Sequence, residues 1–203
     1  ISFNRAISTT SVGLGGGVYH GAGVMTIADS TVASNTASSE GGGFFSTAML
    51  TLDNTTVRGN AGAAGGIRNS DSGRLTLNNS QIISNINTSA GFYGGGLDSA
   101  STSHNTIYAS VFAGNTSGAA GAIYAEGIYT ITNSVIRDNS GGGGVGGIRV
   151  VSGAMTITNT TISGNSGTTA GGLYAASNVN LNNTIIANSV SGVDCSRTSG
   201  TLN

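Results

Sequence analysis

Eight carboxylates, two histidines and one cysteine carry most of the reactive chemistry in this chain of 203 residues. The carboxylates are Asp29, Glu40, Asp53, Asp71, Asp98, Glu126, Asp138 and Asp194. Hydrolysis of a glycosidic bond takes two of them across one groove. Elimination from an acidic polysaccharide takes a Ca²⁺-holding acidic cluster and an Arg or Lys base. The sequence spells out neither. Asp98 and His104 stand six residues apart and read as a solvated turn rather than a dyad. His20 follows Tyr19 with no partner beside it. There is no nucleophile elbow, no HExxH and no phosphate loop, and the glycines at 141–144 read as loop punctuation. Cys195 alone makes no internal disulfide and no metal quartet. It reads as a small, partly buried residue, with a partner cysteine elsewhere as the alternative. The expectation is no catalytic residue, no metal, no cofactor and no enzymatic activity.

Composition narrows the class of element that holds these residues. Only 7% of the chain is charged, net charge is −1, and 35 residues are Gly. Seven scattered Arg form no basic stripe, so a nucleic-acid partner is not expected. No apolar run is long enough to span a membrane as a helix. The chain lacks Pro, Trp and Lys and is built from Gly, Ser, Thr, Asn and β-branched residues, which favour strands and turns over helix.

A repeat organises the whole chain. Seven segments align without gaps: 25–35, 50–60, 75–85, 105–115, 129–139, 155–165 and 179–189. A partial copy, ISFN, stands at Ile1–Asn4. A Gly-rich apolar element precedes each full copy, with Val18, Phe44, Ile67, Leu97, Ile123, Ile148 and Leu173 spaced by 26, 23, 30, 26, 25 and 25 residues. Within each copy an apolar residue (Ile27 to Leu181) is followed five positions on by another (Val32 to Ile186), and three positions later by Asn in six of the seven. A unit of this size cannot bury an apolar face alone, but stacked units can. The expected fold is all-β: a right-handed parallel β-helix, three strands per turn, about seven to eight turns of roughly 25 residues. At ~4.8 Å per turn the rod is roughly 30–35 Å long. Residues 1–189 form the repeats, and 190–203 a C-terminal segment that continues into further chain. The ends read as cut from something longer.

Two asparagine columns follow. One holds Asn35, Asn60, Asn85, Asn115, Asn139 and Asn165. The other holds Asn54, Asn79, Asn133, Asn159 and Asn183, with Asp29 and Ala109 as departures. Asn suits left-handed turns, and stacked amides can also bond the turns above and below; the strict spacing favours ladders. Outward residues of the Gly-rich element are Tyr19, Phe45, Arg68, Asp98, Tyr124, Arg149 and Tyr174. They are either good strand residues stacking on one another or a contact face for sugar rings or another protein. A third outward column is Thr26, Thr51, Thr76, Thr106, Thr130 and Thr156, then Asn180. Thr arrays of this kind occur on ice-binding solenoids, but Thr is also a common exposed strand residue.

The GG-[AI]-x and [FVI]-x-x-N elements resemble the repeat pair of the polymorphic outer membrane proteins and, more broadly, of bacterial right-handed parallel β-helix surface proteins. The resemblance runs from Ile1 to about Ser189, and 183–203 looks like the stretch where such helices approach their end. It implies a secreted, extracellular or cell-surface location and a role in adhesion or surface structure. Expected partners are other copies of the chain, a neighbouring surface protein, or glycans bound through Tyr19, Phe45, Arg68, Tyr124, Arg149 and Tyr174. A polysaccharide-degrading role and ice binding through the Thr column are the alternatives.

Overall fold

The computed structural model describes residues 1–6, 13–89, 93–100 and 102–203, which form a parallel β-solenoid with no helix among them. Three sheets run its length. Sheet I stacks the Gly-rich elements, from Val18–His20 through Phe44–Ser46, Ile67–Asn69, Leu97–Ser99, Ile123–Ala125 and Ile148–Val150 to Ser166–Ala175 and Ser191–Arg197. Sheet II stacks five-residue strands from Val24–Ala28 to Asn178–Asn182. Sheet III stacks three-residue strands from Thr31–Ala33 to Ile185–Ala187. Every neighbouring pair is parallel and joins equivalent residues, as in Thr76↔Thr106 and Ile82↔Phe112, except that the last pair of sheet I shifts register between Ser166 and Leu173. The five-residue spacing within each copy is therefore a corner joining sheets II and III. A short fourth ladder, Arg5–Ala6, Thr36–Ala37, Ala61–Gly62 and Ile86–Asn87, follows the asparagine corner in the first turns and was not foreseen as strand. Two residues are too few to show an alternation in the sequence.

Alternation decides the inside. In sheet II, Leu50 and Leu52 are buried while Met49 is exposed and Thr51 is half-buried between them. The core is a set of columns, Phe44–Ile67–Leu97–Ile123–Ile148–Leu173 from sheet I facing Leu52–Leu77–Ile107–Ile131–Ile157 and Val57–Ile82–Phe112–Ile136–Ile162. The glycines before sheet I let turns approach closely. A Cβ on Gly43 would lie 2.7 Å from the Gly66 carbonyl oxygen and 3.1 Å from the Asn60 amide nitrogen. Residues 190–203 extend the ladder: Cys195 pairs with Leu173, and Leu202 bridges to Val179. Asn4 occupies the asparagine position of the partial first copy and donates to Asn35 Oδ1 at 3.0 Å. Among the described residues no helix is long and apolar enough to cross a membrane.

Candidate functional site

The asparagines of the first column are buried and bonded in series. Asn35 Nδ2 donates to Asn60 Oδ1, Asn60 to Asn85 and Asn85 to Asn115, each at 3.0 Å, and Asn115 to Asn139 and Asn139 to Asn165, each at 2.9 Å. Each Oδ1 also accepts the backbone N–H of the preceding asparagine, as in Asn60 N to Asn85 Oδ1 at 3.0 Å. The second Nδ2 proton reaches a carbonyl of the turn before, as in Asn85 to Val57 O at 3.0 Å. Donors and acceptors at this corner are thereby satisfied away from water. The second column is left-handed and, apart from the half-buried Ala109, exposed. Asp29, Asn54, Asn79, Ala109, Asn133, Asn159 and Asn183 have φ between 44° and 54°. Its amides link only in part, Asn54 to Asp29 at 2.7 Å, Asn159 to Asn133 at 3.1 Å and Asn183 to Asn159 at 2.7 Å. A third polar column went unread in the sequence: Ser80, Ser110, Ser134 and Thr160 each accept, through the hydroxyl, the backbone N–H of the preceding member, starting from Thr55. The signal was a Ser or Thr directly after every residue of this second column.

The outward face of sheet I brings Tyr19, Phe45, Arg68, Asp98, Tyr124, Arg149 and Tyr174 into one register column. Most of these side chains are engaged with one another. Tyr19 and Phe45 stack with centroids 5.7 Å apart and planes 3° from parallel. The Arg149 guanidinium lies 6.0 Å from the Tyr124 centroid and 5.3 Å from that of Tyr174. Such contacts add about 0.5–1.5 kcal/mol for an aromatic pair and a comparable amount for a cation over a ring. Tyr19 is 57% exposed, but Phe45 and Tyr124 are only 9% exposed, so the column is not one open surface.

Its centre departs most from expectation. Asp98 is not a solvated turn residue: it is completely buried in sheet I and ion-paired with Arg68. His104 opens the sheet II strand His104–Tyr108, so the two belong to different sheets. The other face of the Arg68 charge meets Glu40, with Nε 3.5 Å from Oε2, and its guanidinium lies 5.3 Å from the ring centroid of Tyr93. The cause is a loop. Twelve residues separate Asn85 from Leu97, against seven to nine after Asn35, Asn60, Asn115, Asn139 and Asn165, and Tyr93 of this longer connection covers Arg68. Burial raises the Tyr124 phenol above its ordinary range, with Glu126 adding to the effect. Neither Glu40 nor Tyr93 was singled out from the sequence; the 30-residue spacing was the available signal.

Beside this cluster is a cavity of about 260 Å³ lined by Ser38, Ser39, Glu40, Ala63, Thr88, Ser89 and Tyr93. Comparison with protein-family models, curated proteins and solved structures finds no match. A second depression, of about 200 Å³, lies on sheet II among Val24, Met49, Arg74, His104 and the Thr column. The Thr residues stand in register there, Thr26, Thr51, Thr76, Thr106, Thr130 and Thr156. Arg74 and Tyr108 interrupt the plane on either side of them. His20 is not without a partner: its buried Nδ1 lies 3.0 Å from Ser46 Oγ. Burial raises the Cys195 thiol, with Asp194 adding to it, so this free cysteine is a weak nucleophile. Among the described residues no three metal-ligating side chains of His, Cys, Asp or Glu converge.

Proposed function

We propose that the chain is a rigid, non-catalytic structural module of a secreted bacterial surface protein or fibre. The observation that carries this reading is the parallel register of the three sheets, continuous among the described strands up to the last pair of sheet I, reinforced by the buried asparagine ladder. Such a rod transmits load through backbone bonds that all belong to regular strands or corners, and its low charge and absent Lys give few sites for trypsin-like cleavage. The acid chemistry supports the same reading. Asp98 and Glu40 both face Arg68, so they neutralise a cation instead of dividing acid and base roles across a groove. A location outside the cell rests on the resemblance of the repeats to those of surface proteins, and neighbouring surface proteins or other copies are the partners it implies.

Two measurements test the proposal together. Small-angle scattering should give a monodisperse rod with a long axis near the roughly 30–35 Å set by stacked turns at ~4.8 Å. Reducing-end and unsaturated-product assays on pectic, alginate and neutral glycans should show no turnover, with or without Ca²⁺. Turnover that disappears in Asp98→Asn would make this an enzyme and end the structural reading.

A further inference from the structure

We propose that the cavity bounded by Ser38, Ser39, Glu40, Thr88, Ser89 and Tyr93 binds one neutral sugar ring of a glycan. The proposal goes beyond the structural role, since a rod that binds nothing here is still a rod.

The first ground is a departure from the repeat. Buried ion pairs are at best weak contributors to stability, because desolvation offsets their attraction. At the positions equivalent to Arg68 and Asp98 the other turns place Tyr19, Phe45, Tyr124, Arg149 and Tyr174, so the solenoid does not need a buried carboxylate to stack. A connection longer than those after Asn35, Asn60, Asn115, Asn139 and Asn165 supplies Thr88, Ser89 and Tyr93 to the cavity. Where a regular sequence breaks its own local rules, a site is the expected reason.

The second ground is the chemistry of the lining. Four hydroxyl residues stand around one carboxylate and one phenol ring. Hydroxyls donate and accept, and so match a ligand whose groups do both. An anion finds no spare cation, because Arg68 is already opposed by Asp98 and Glu40. An ammonium finds Glu40, but with a guanidinium nitrogen 3.5 Å from the same carboxylate oxygen. Tyr93 adds a ring with an apolar body and a polar tip, which suits the mixed C–H and O–H surface of a sugar. At about 260 Å³ the cavity falls below the ~300–1,000 Å³ of drug-sized sites, which limits it to one ring. Ser38 and Thr88 are exposed, so the neighbouring units of a chain would extend outward past them.

Saturation-transfer NMR on the intact chain tests this directly. The probes are methyl glycosides of glucose, galactose and mannose and N-acetylglucosamine, with glucuronate and glucosamine as charged counterparts. At least one neutral probe should show transfer clearly above both charged ones. Glu40→Gln should weaken it about tenfold, the loss of one charge-assisted hydrogen bond. Thr88→Trp should abolish it by filling the mouth, and its exposed position leaves the β-sheet circular dichroism unchanged. Silence from every neutral probe would overturn the proposal, as would a charged probe binding as well as a neutral one or a signal that survives Thr88→Trp. None of these results touches the scattering envelope, so failure here and failure of the structural reading are separable.

Discussion

Asparagine serves this fold in two chemically different ways, and substitution separates them. Asn85 is buried and bonds four groups: Asn60 N and Nδ2 donate to its Oδ1, and its Nδ2 donates to Val57 O and Asn115 Oδ1. Asn85→Ala leaves the Asn60 N–H and one Asn60 Nδ2 proton without an acceptor away from water and removes a donor from Val57 O and Asn115 Oδ1, so equilibrium unfolding should show a loss of about 3 kcal/mol. A loss below 1 kcal/mol would mean the ladder is decoration. The exposed column is set by backbone conformation instead. Ala109 sits there with φ 47°, where L-residues other than Asn and Asp are disfavoured. Ala109→Gly should therefore stabilise by about 1 kcal/mol and raise the thermal midpoint by roughly 2–4 °C. A lowered midpoint would show that the Ala109 methyl packs more than it strains. Both columns were legible as spacing, but a sequence does not say that one is buried and the other exposed. The corner that follows decides that: the first turns inward against sheet III residues and the second lies on the outer rim.

Strands of sheet II convert a two-residue period into an inside and an outside, and this is the level at which the sequence was most readable. Ile131 is fully buried and its neighbour Thr130 is exposed. Ile131→Asp should cost more than about 4 kcal/mol, because an unpaired charge enters a narrow apolar core. Thr130→Asp should stay within about 1 kcal/mol, since its side chain keeps its water. Equal losses in denaturant titrations would reverse the assignment of faces. Sheet I obeys the same alternation, yet there the sequence misled about Asp98. Alternation correctly put it on the outward side, between Arg68 and Tyr124. What it could not supply was the cover: Tyr93, from the connection after Asn85, lies over Arg68 on that side. Strand pattern is local and read from neighbours in sequence, whereas cover comes from a loop whose path depends on the whole stack. The same limit hid Glu40, which reaches Arg68 from the turn before.

Stacking makes the molecule nearly one-dimensional, since each turn bonds only the turn above and the turn below. Its stability should then be graded along the axis rather than uniform. Burial already shows the grading: Leu52, Leu77 and Ile131 are fully enclosed, while the equivalent Ile27 and Leu181 in the outermost strands of sheet II are only half-buried. Among the described residues Val24–Ala28 has one hydrogen-bonded strand neighbour and one open edge, and Asn178–Asn182 is backed on its far side only by the short segment 201–203, so opening either breaks little more than a single interface. Opening a central turn breaks two, unless everything to one side has already gone. Local opening should therefore run inward from both ends. Native-state hydrogen exchange on the 203-residue chain should find the slowest backbone amides around Leu77, Ile107 and Ile131, with protection falling toward Ile27 and toward Ile186. The buried asparagine ladder works against this grading, because each amide side chain from Asn35 to Asn139 ties its turn to both neighbours. If that coupling dominates, all turns open together and protection is flat from Leu52 to Ile157. A flat profile would assign the rigidity to the ladder, and a graded one to the stacking of apolar columns.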